Sequence, residues 1–177
     1  MSEFGVLKLK NEKDIEKDFT CGIEYIDHNI KNSYYPYICK HEDVYLCRLN
    51  DEILGYSIIS IREIGSNEVD LYTDYFADSK PFGVVYLNYI AIKEDKQHNG
   101  YGTRFIRNII KLIRTYCKTL PIRFITIEAL KEKVWWYEEK GFKKLDSCSS
   151  NGNQRMYLDL MSSEEFKVID NYMKGEI

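Results

Sequence analysis

Val84 to Ile92 is an almost unbroken apolar run of strand length. Without polar alternation, such a run predicts a central strand covered on both faces. Upstream, Val44 to Leu49 and Ile53 to Ile61 are rich in β-branched, aromatic and aliphatic residues, and Asn50-Asp51-Glu52 between them supplies a polar turn. That pair reads as an antiparallel hairpin. Downstream the period changes. From about Gly102 to Thr119 the apolar residues Phe105, Ile106, Ile109, Ile110, Ile113 and Cys117 fall on one helical face, with Arg104, Arg107, Asn108, Lys111, Arg114 and Lys118 on the other. Pro121 stops this helix, and Ile122 to Leu130 reads as a further strand in which Ile125 and Ile127 alternate with Thr126 and Glu128. Strand, helix, strand makes a βαβ crossover.

The flanks are less regular. Ile15, Phe19, Ile23, Ile26 and Ile30 keep helical spacing between Asn11 and Asn32, broken at Cys21-Gly22, which predicts two short helices. Gly65 to Gly83 reads as a long loop, with acidic and tyrosine residues crowded between Glu68 and Asp78. Val134 to Lys140 suggests a short helix ended by Gly141, followed by strands near Phe142 to Leu145 and Met156 to Leu160 joined by the Ser149 to Asn153 loop. Ser162-Ser163-Glu164-Glu165 fits a capping box for a last helix carrying Phe166, Ile169 and Met173. The three prolines fall at element boundaries in this reading. With no repeat or linker in 177 residues, the expectation is one α/β domain with a mixed sheet.

Composition narrows the classes. Hydrophobic residues at 44% and charged residues at 30% exclude a disordered chain. A net charge of -3 provides no global field for polyanions, so nucleic acid is disfavoured, although 25 Lys and Arg leave room for a local basic patch. The five cysteines are widely spaced with no C-x-x-C pair and read as reduced thiols; His28, His41 and His98 lie at no ligand spacing to them, so no metal is expected. No signal-like N-terminus and no stretch near the roughly 20 apolar residues of a membrane span are present, which points to a cytoplasmic protein.

The chemistry lies where the central strand runs through Gln97-His98-Asn99-Gly100-Tyr101-Gly102-Thr103 into the helix. Backbone N–H groups there lack intrahelical acceptors and can converge on an anion, aided by the helix dipole. Gly100 and Gly102 would let a phosphate approach the backbone, or would merely permit a tight turn. No Lys-Ser/Thr pair follows the glycines, which argues against a nucleotide P-loop, and no G-x-G-x-x-G is present for a Rossmann turn.

This segment resembles the Q/R-x-x-G-x-G/A loop of the GCN5-related N-acetyltransferases. Leu87 to Ile92 is similar to the strand that precedes it in that family, and Tyr137-Glu138-Glu139-Lys140-Gly141-Phe142 to the family's Tyr-x-x-x-Gly-Phe signature. The resemblance implies a mixed, mostly antiparallel sheet with splayed central strands flanked by helices. It implies a catalytic domain over residues 1–161 and a C-terminal helix over 162–177, packed on the domain or on a second subunit of a homodimer. Acetyl-CoA would be the co-substrate. Ile90, Ala91 and Ile92 would offer backbone groups to its acetyl-pantetheine arm, Gln97, His98, Asn99, Gly100, Tyr101, Gly102 and Thr103 would hold its pyrophosphate, and Tyr137 would protonate the departing thiolate. Leu130 and Lys133 stand where the family often has an Asn and an Ala, so no pantetheine-contacting Asn carries over. Glu128 and Glu63 are candidate proton relays, each read first as a solvated strand-end carboxylate.

For the acceptor, the first expectation is an amine of a small molecule or peptide, recognised by the carboxylates and phenol faces of Glu68 to Asp78. The alternative is a toxin of a toxin–antitoxin pair that acetylates aminoacyl-tRNA. Phe19-Thr20-Cys21-Gly22, with Ile26-Asp27 after it, resembles the Phe-x-Cys-Gly opening of that subset, which requires a basic surface for tRNA. A third reading is a non-catalytic module that binds CoA.

Overall fold

A computed structural model describes residues 3–65 and 81–175; the acidic stretch from Glu68 to Asp78 lies outside them. The apolar run is β4 (Phe82–Ile92), and the hairpin before it is β2 (Asp43–Leu49) and β3 (Glu52–Ile64). A short strand, β1 (Phe4–Lys8), opens the chain. After β4 come the helix α3 (Tyr101–Cys117), β5 (Phe124–Ala129), the short helix α4 (Val134–Glu138), β6 (Lys143–Cys148), β7 (Gln154–Asp159) and the helix α5 (Ser163–Lys174). Between β1 and β2 lie α1 (Glu24–Lys31) and α2 (Tyr34–Ile38). The strands form a seven-stranded sheet in the order β1-β2-β3-β4-β5-β7-β6. β4 and β5 are parallel, as the crossover demands, and the other pairs are antiparallel.

The predicted stripe of α3 is buried: Phe105, Ile106, Ile109 and Ile113 pack with Val85, Leu87, Ile125 and Ile127 on one face of the sheet. Cys117, in the last turn, is only half-buried. The opposite face is covered by Phe19, Ile26 and Ile30 against Val44, Leu46, Tyr56 and Ile58. Ser162 caps α5 reciprocally: its hydroxyl accepts from the Glu165 N–H at 3.2 Å, and its own N–H donates to the Glu165 carboxylate at 2.7 Å.

Four expectations need correction. The first of the two N-terminal helices is a single 3-10 turn, Glu12–Asp14, closed by the Asn11 N–H donating to the Asp14 carboxylate at 3.1 Å and left by an extended backbone at Ile15. Pro36 sits inside α2 rather than at a boundary, in the first turn where its missing N–H is not needed. Thr126 is buried at 5% exposure, since β5 has strands on both edges and packing on both faces. Finally, β6 runs further toward the hairpin loop than its apolar residues suggested.

The sheet positions the site through two irregularities. Ile58 pairs with Tyr89 but Ile59 pairs with Leu87, leaving Asn88 as an extra residue in β4. Its side chain accepts from the Ser60 hydroxyl at 2.8 Å and donates to Glu42 at 2.6 Å, which anchors the bulge. The parallel ladder with β5 ends at the Leu87–Ile127 pair, so Tyr89 to Ile92 continue with no partner strand on that edge among the described residues. The two strands splay.

Candidate active site

A cavity of about 910 Å³ opens at the splay. Its floor is β4 from Tyr86 to Ile92; α3 begins one wall, α4 supplies a second, and Cys21 to Ile26 ahead of and within α1 supply a third. The backbone of Ile90, Ala91 and Ile92 pairs with Ser57, Tyr56 and Gly55 of β3 on one edge and faces the cavity on the other.

At the head of α3, Gly100 is the N-cap, in the left-handed region at φ 78°, with no side chain capping the helix. Among the described residues, no acceptor takes a hydrogen bond from the N–H groups of Gly100, Tyr101, Gly102 or Thr103. Gly100, Gly102 and Thr103 line the cavity, and a methyl added at Gly100 would meet nothing within 4 Å. A methyl at Gly102 would lie 3.7 Å from Trp136 and 3.8 Å from Ile92, which is ordinary contact. The row of donors, reinforced by the α3 dipole, could hold an anion.

Other residues of the predicted loop do different work. The Gln97 N–H is already bonded to Glu94 at 3.3 Å, and its side-chain amide donates to the carbonyls of Cys21 at 2.9 Å and Ile92 at 3.0 Å. Gln97 is therefore a latch between two walls. Asn99 turns back to the carbonyls of Lys96 and Gln97 and does not line the cavity. Tyr101 likewise points away and stacks on Phe4 at 6.3 Å. His98 reaches the cavity with φ 61°, so its backbone shapes the turn.

Tyr137 lines the same cavity, half-buried between the rings of Trp136 at 4.8 Å and Phe142 at 5.6 Å. Burial pushes its phenol well above the usual value, so it stays protonated at neutral pH. Leu130 and Lys133 also line the cavity, where the resemblance would have placed smaller or amide side chains. Glu128 lies just past the last β4–β5 pair and reaches the cavity, whereas Glu63 borders a side pocket of about 190 Å³.

The periodicity had not shown what the Phe19-Thr20-Cys21-Gly22 segment does. Asp27, 8% exposed, accepts from the Cys21 N–H at 2.8 Å and from the Thr20 hydroxyl at 2.8 Å. Thr20 offers its carbonyl to the Glu94 N–H at 3.0 Å. With Gln97, these bonds brace the start of α1 against the end of β4. The signal was present as an Asp following the motif, but only the fold brings Glu94 and Gln97 to it.

The outer face of α3 resolves the question of charge. Arg104, Arg107, Lys111, Arg114 and Lys118 are all exposed, the helix carries no Asp or Glu, and none of the five enters an ion pair among the described residues. A locally cationic surface exists on a chain of net charge -3. No helix among the described residues is long and apolar enough to cross a membrane, and no group of metal-ligating side chains is found among them.

No family model and no curated protein matches the sequence. Solved structures match in shape. A bacterial toxin superposes with a TM-score of 0.75 at 18% identity, over 93% of this chain and 95% of that one. AtaT complexed with acetyl-methionyl-tRNAfMet gives 0.74 at 18%, over 94% and 99%. A tyrosine-to-phenylalanine mutant of KacT gives 0.77 at 18%, over 92% and 98%. Taken with the splayed β4 and β5 and the glycine turn at the head of α3, the likeness shows that the chain has the fold of the GCN5-related N-acetyltransferases.

Proposed function

We propose that the protein is an acetyl-CoA-dependent N-acetyltransferase that acetylates the amino group of an aminoacyl-tRNA, acting as the toxin of a toxin–antitoxin pair. The observation that carries the acetyltransferase reading is the row of unpartnered amides from Gly100 to Thr103, set beside the splay at a cavity that Tyr137 also lines. A diphosphate suits that row, and an extended amide-containing arm suits the open edge of Ile90 to Ile92. Acetyl-CoA supplies an activated acyl group, so the chain has chiefly to orient it and admit a neutral amine.

Within this reading each residue has a physical task. The amides of Gly100 to Thr103 neutralise the diphosphate, and the β4 edge aligns the arm along the splay. As the amine nitrogen bonds to the acyl carbon and the carbon–sulfur bond breaks, Tyr137, a phenol protonated at neutral pH, gives its proton to the leaving sulfur, and the proton shed by the nitrogen restores the phenol through solvent. The α-amine of an aminoacyl ester is partly neutral near pH 8, so no strong base is required.

Two observations favour an RNA-borne acceptor over the small-molecule or peptide amine that was the first expectation. AtaT, which superposes on nearly the whole chain, was captured with acetyl-methionyl-tRNAfMet. The cationic face of α3 supplies a surface for polyanions that net charge alone had argued against. The test is thiol release from acetyl-CoA over a panel of charged tRNAs, amino acids, polyamines and peptides. Acetylation of charged tRNA, with growth arrest on expression, is expected; release only with small amines would refute the tRNA acceptor, and no binding of acetyl-CoA would refute both halves.

A further inference from the structure

Most aromatic rings around the cavity have their faces occupied. The Arg62 guanidinium lies 3.6 Å over Tyr86, and the Lys140 ammonium 4.3 Å over Trp136. Tyr137 is wedged between Trp136 and Phe142. Tyr89 is half-buried and meets Tyr25 edge-on at 6.4 Å. Two large rings remain open to solvent while lining the cavity: Tyr25 on α1, 45% exposed, and Trp135 on α4, 57% exposed.

The Trp135 ring is held at its polar tip, its indole N–H donating to the Glu132 carbonyl at 2.9 Å. Aromatic rings of this size usually bury their faces, so a tethered ring with an open face at a cavity mouth is poised to stack. They belong to two different walls of the cavity, α1 and α4.

We propose that Tyr25 and Trp135 are stacking platforms for purine bases at the mouth of the cavity. The proposal rests on the function proposed above, in which both ligands, acetyl-CoA and the 3′ end of a tRNA, carry an adenosine. The base of either one lies beyond the reacting atoms, where only a side chain at the mouth can touch it. Stacking tolerates any base orientation that presents a π-face and requires no hydrogen-bond code, which two open rings provide.

The test uses Tyr25→Ala and Trp135→Ala, with Tyr25→Phe and Trp135→Phe as conservative partners. Two ratios are measured for each: the affinity for acetyl-CoA over that for acetyl-pantetheine, which lacks the nucleotide, and kcat/KM for aminoacyl-tRNA over that for an amino acid methyl ester. Each Ala variant is expected to lower one of the two ratios by about 5- to 100-fold, and the Phe variant to restore most of it. The ratio that falls assigns the adenosine to the cofactor or to the RNA. Equal losses with the truncated ligand, or no change in either ratio, would overturn the proposal. A wild-type protein that binds no acetyl-CoA and acetylates no charged tRNA would overturn it together with the function it rests on, a failure visible before any variant is made.

Discussion

Substituting Gly100 and Gly102 by Ala separates the anion cradle from the fold that carries it. Gly100 adopts φ 78° and ψ -2°, a left-handed conformation that costs an L residue about 1–2 kcal/mol, and its added methyl would touch nothing within 4 Å. The stability cost of Gly100→Ala is therefore conformational alone, a fall in melting temperature of about 2–8 °C for a domain of this size. Gly102 lies inside α3 with an ordinary helical backbone, and a methyl there makes only normal contacts at 3.7 and 3.8 Å. Gly102→Ala should leave stability unchanged or raise it by up to about 1 kcal/mol, the helix propensity gap between the two residues. Binding, measured well below the melting transition, should depend on Gly100. If the amides from Gly100 to Thr103 face a diphosphate, the Gly100 methyl, which meets no protein atom within 4 Å, crowds the anion, and calorimetry should show acetyl-CoA affinity reduced about tenfold or more. The resembled Q/R-x-x-G-x-G/A loop admits Ala at the Gly102 position, so Gly102→Ala should bind acetyl-CoA within a few-fold of wild type. Unchanged affinity in a fully folded Gly100→Ala protein would refute the assignment of the amide row to the cofactor.

Tyr137→Phe should lower the rate of thiol release about 100-fold or more while acetyl-CoA affinity, read by calorimetry, stays within a factor of two; unchanged turnover would remove Tyr137 from the acid role. For Asp27, burial raises the carboxyl's pKa, but the hydrogen bonds from the Cys21 N–H and the Thr20 hydroxyl outweigh it, so the folded value lies below the usual one. Its contribution is then fully present above the unfolded pKa of about 4 and is lost as pH falls through the lower folded value. The stability gap between wild type and Asp27→Asn in urea should be full at pH 7 and narrow below about pH 4; a gap independent of pH would contradict the reasoning. Burial pushes the Cys21 and Cys47 thiols up to about 12, while Cys39 and Cys148 are exposed. Brief alkylation at pH 8 followed by peptide mapping should label Cys39 and Cys148 first, and early labelling of Cys47 would show that the core opens more readily than its packing implies.

Much of the architecture was legible because it follows from local period and punctuation. The apolar run of β4, the α3 stripe and the Ser162 to Glu165 capping box each satisfy a rule that acts over a few residues. Elements that escaped have a weak or contradicted local signal, among them the five-residue strand β1, α2, which contains Pro36, and the 3-10 turn at Glu12, where the apolar spacing is helical. The same division runs through the site. The glycine turn and Tyr137 were readable as motifs, whereas only the structure shows that the Gln97 and Asn99 side chains, in the segment expected to hold the pyrophosphate, bond to backbone carbonyls.

The amino-acid order by itself determined the central strand β4, the α3 stripe and the α5 cap, and that a run of free amides must appear where Gly100 opens a helix, because each depends on bonding within a few residues. Only the tertiary structure decided where β4 leaves β5, that Asp27 and Gln97 lock two distant segments together, and that Tyr25 and Trp135 keep open faces beside the same cavity. Those outcomes depend on contacts between residues far apart in the chain, whose approach is set by packing of the whole sheet and leaves no periodic trace in the sequence.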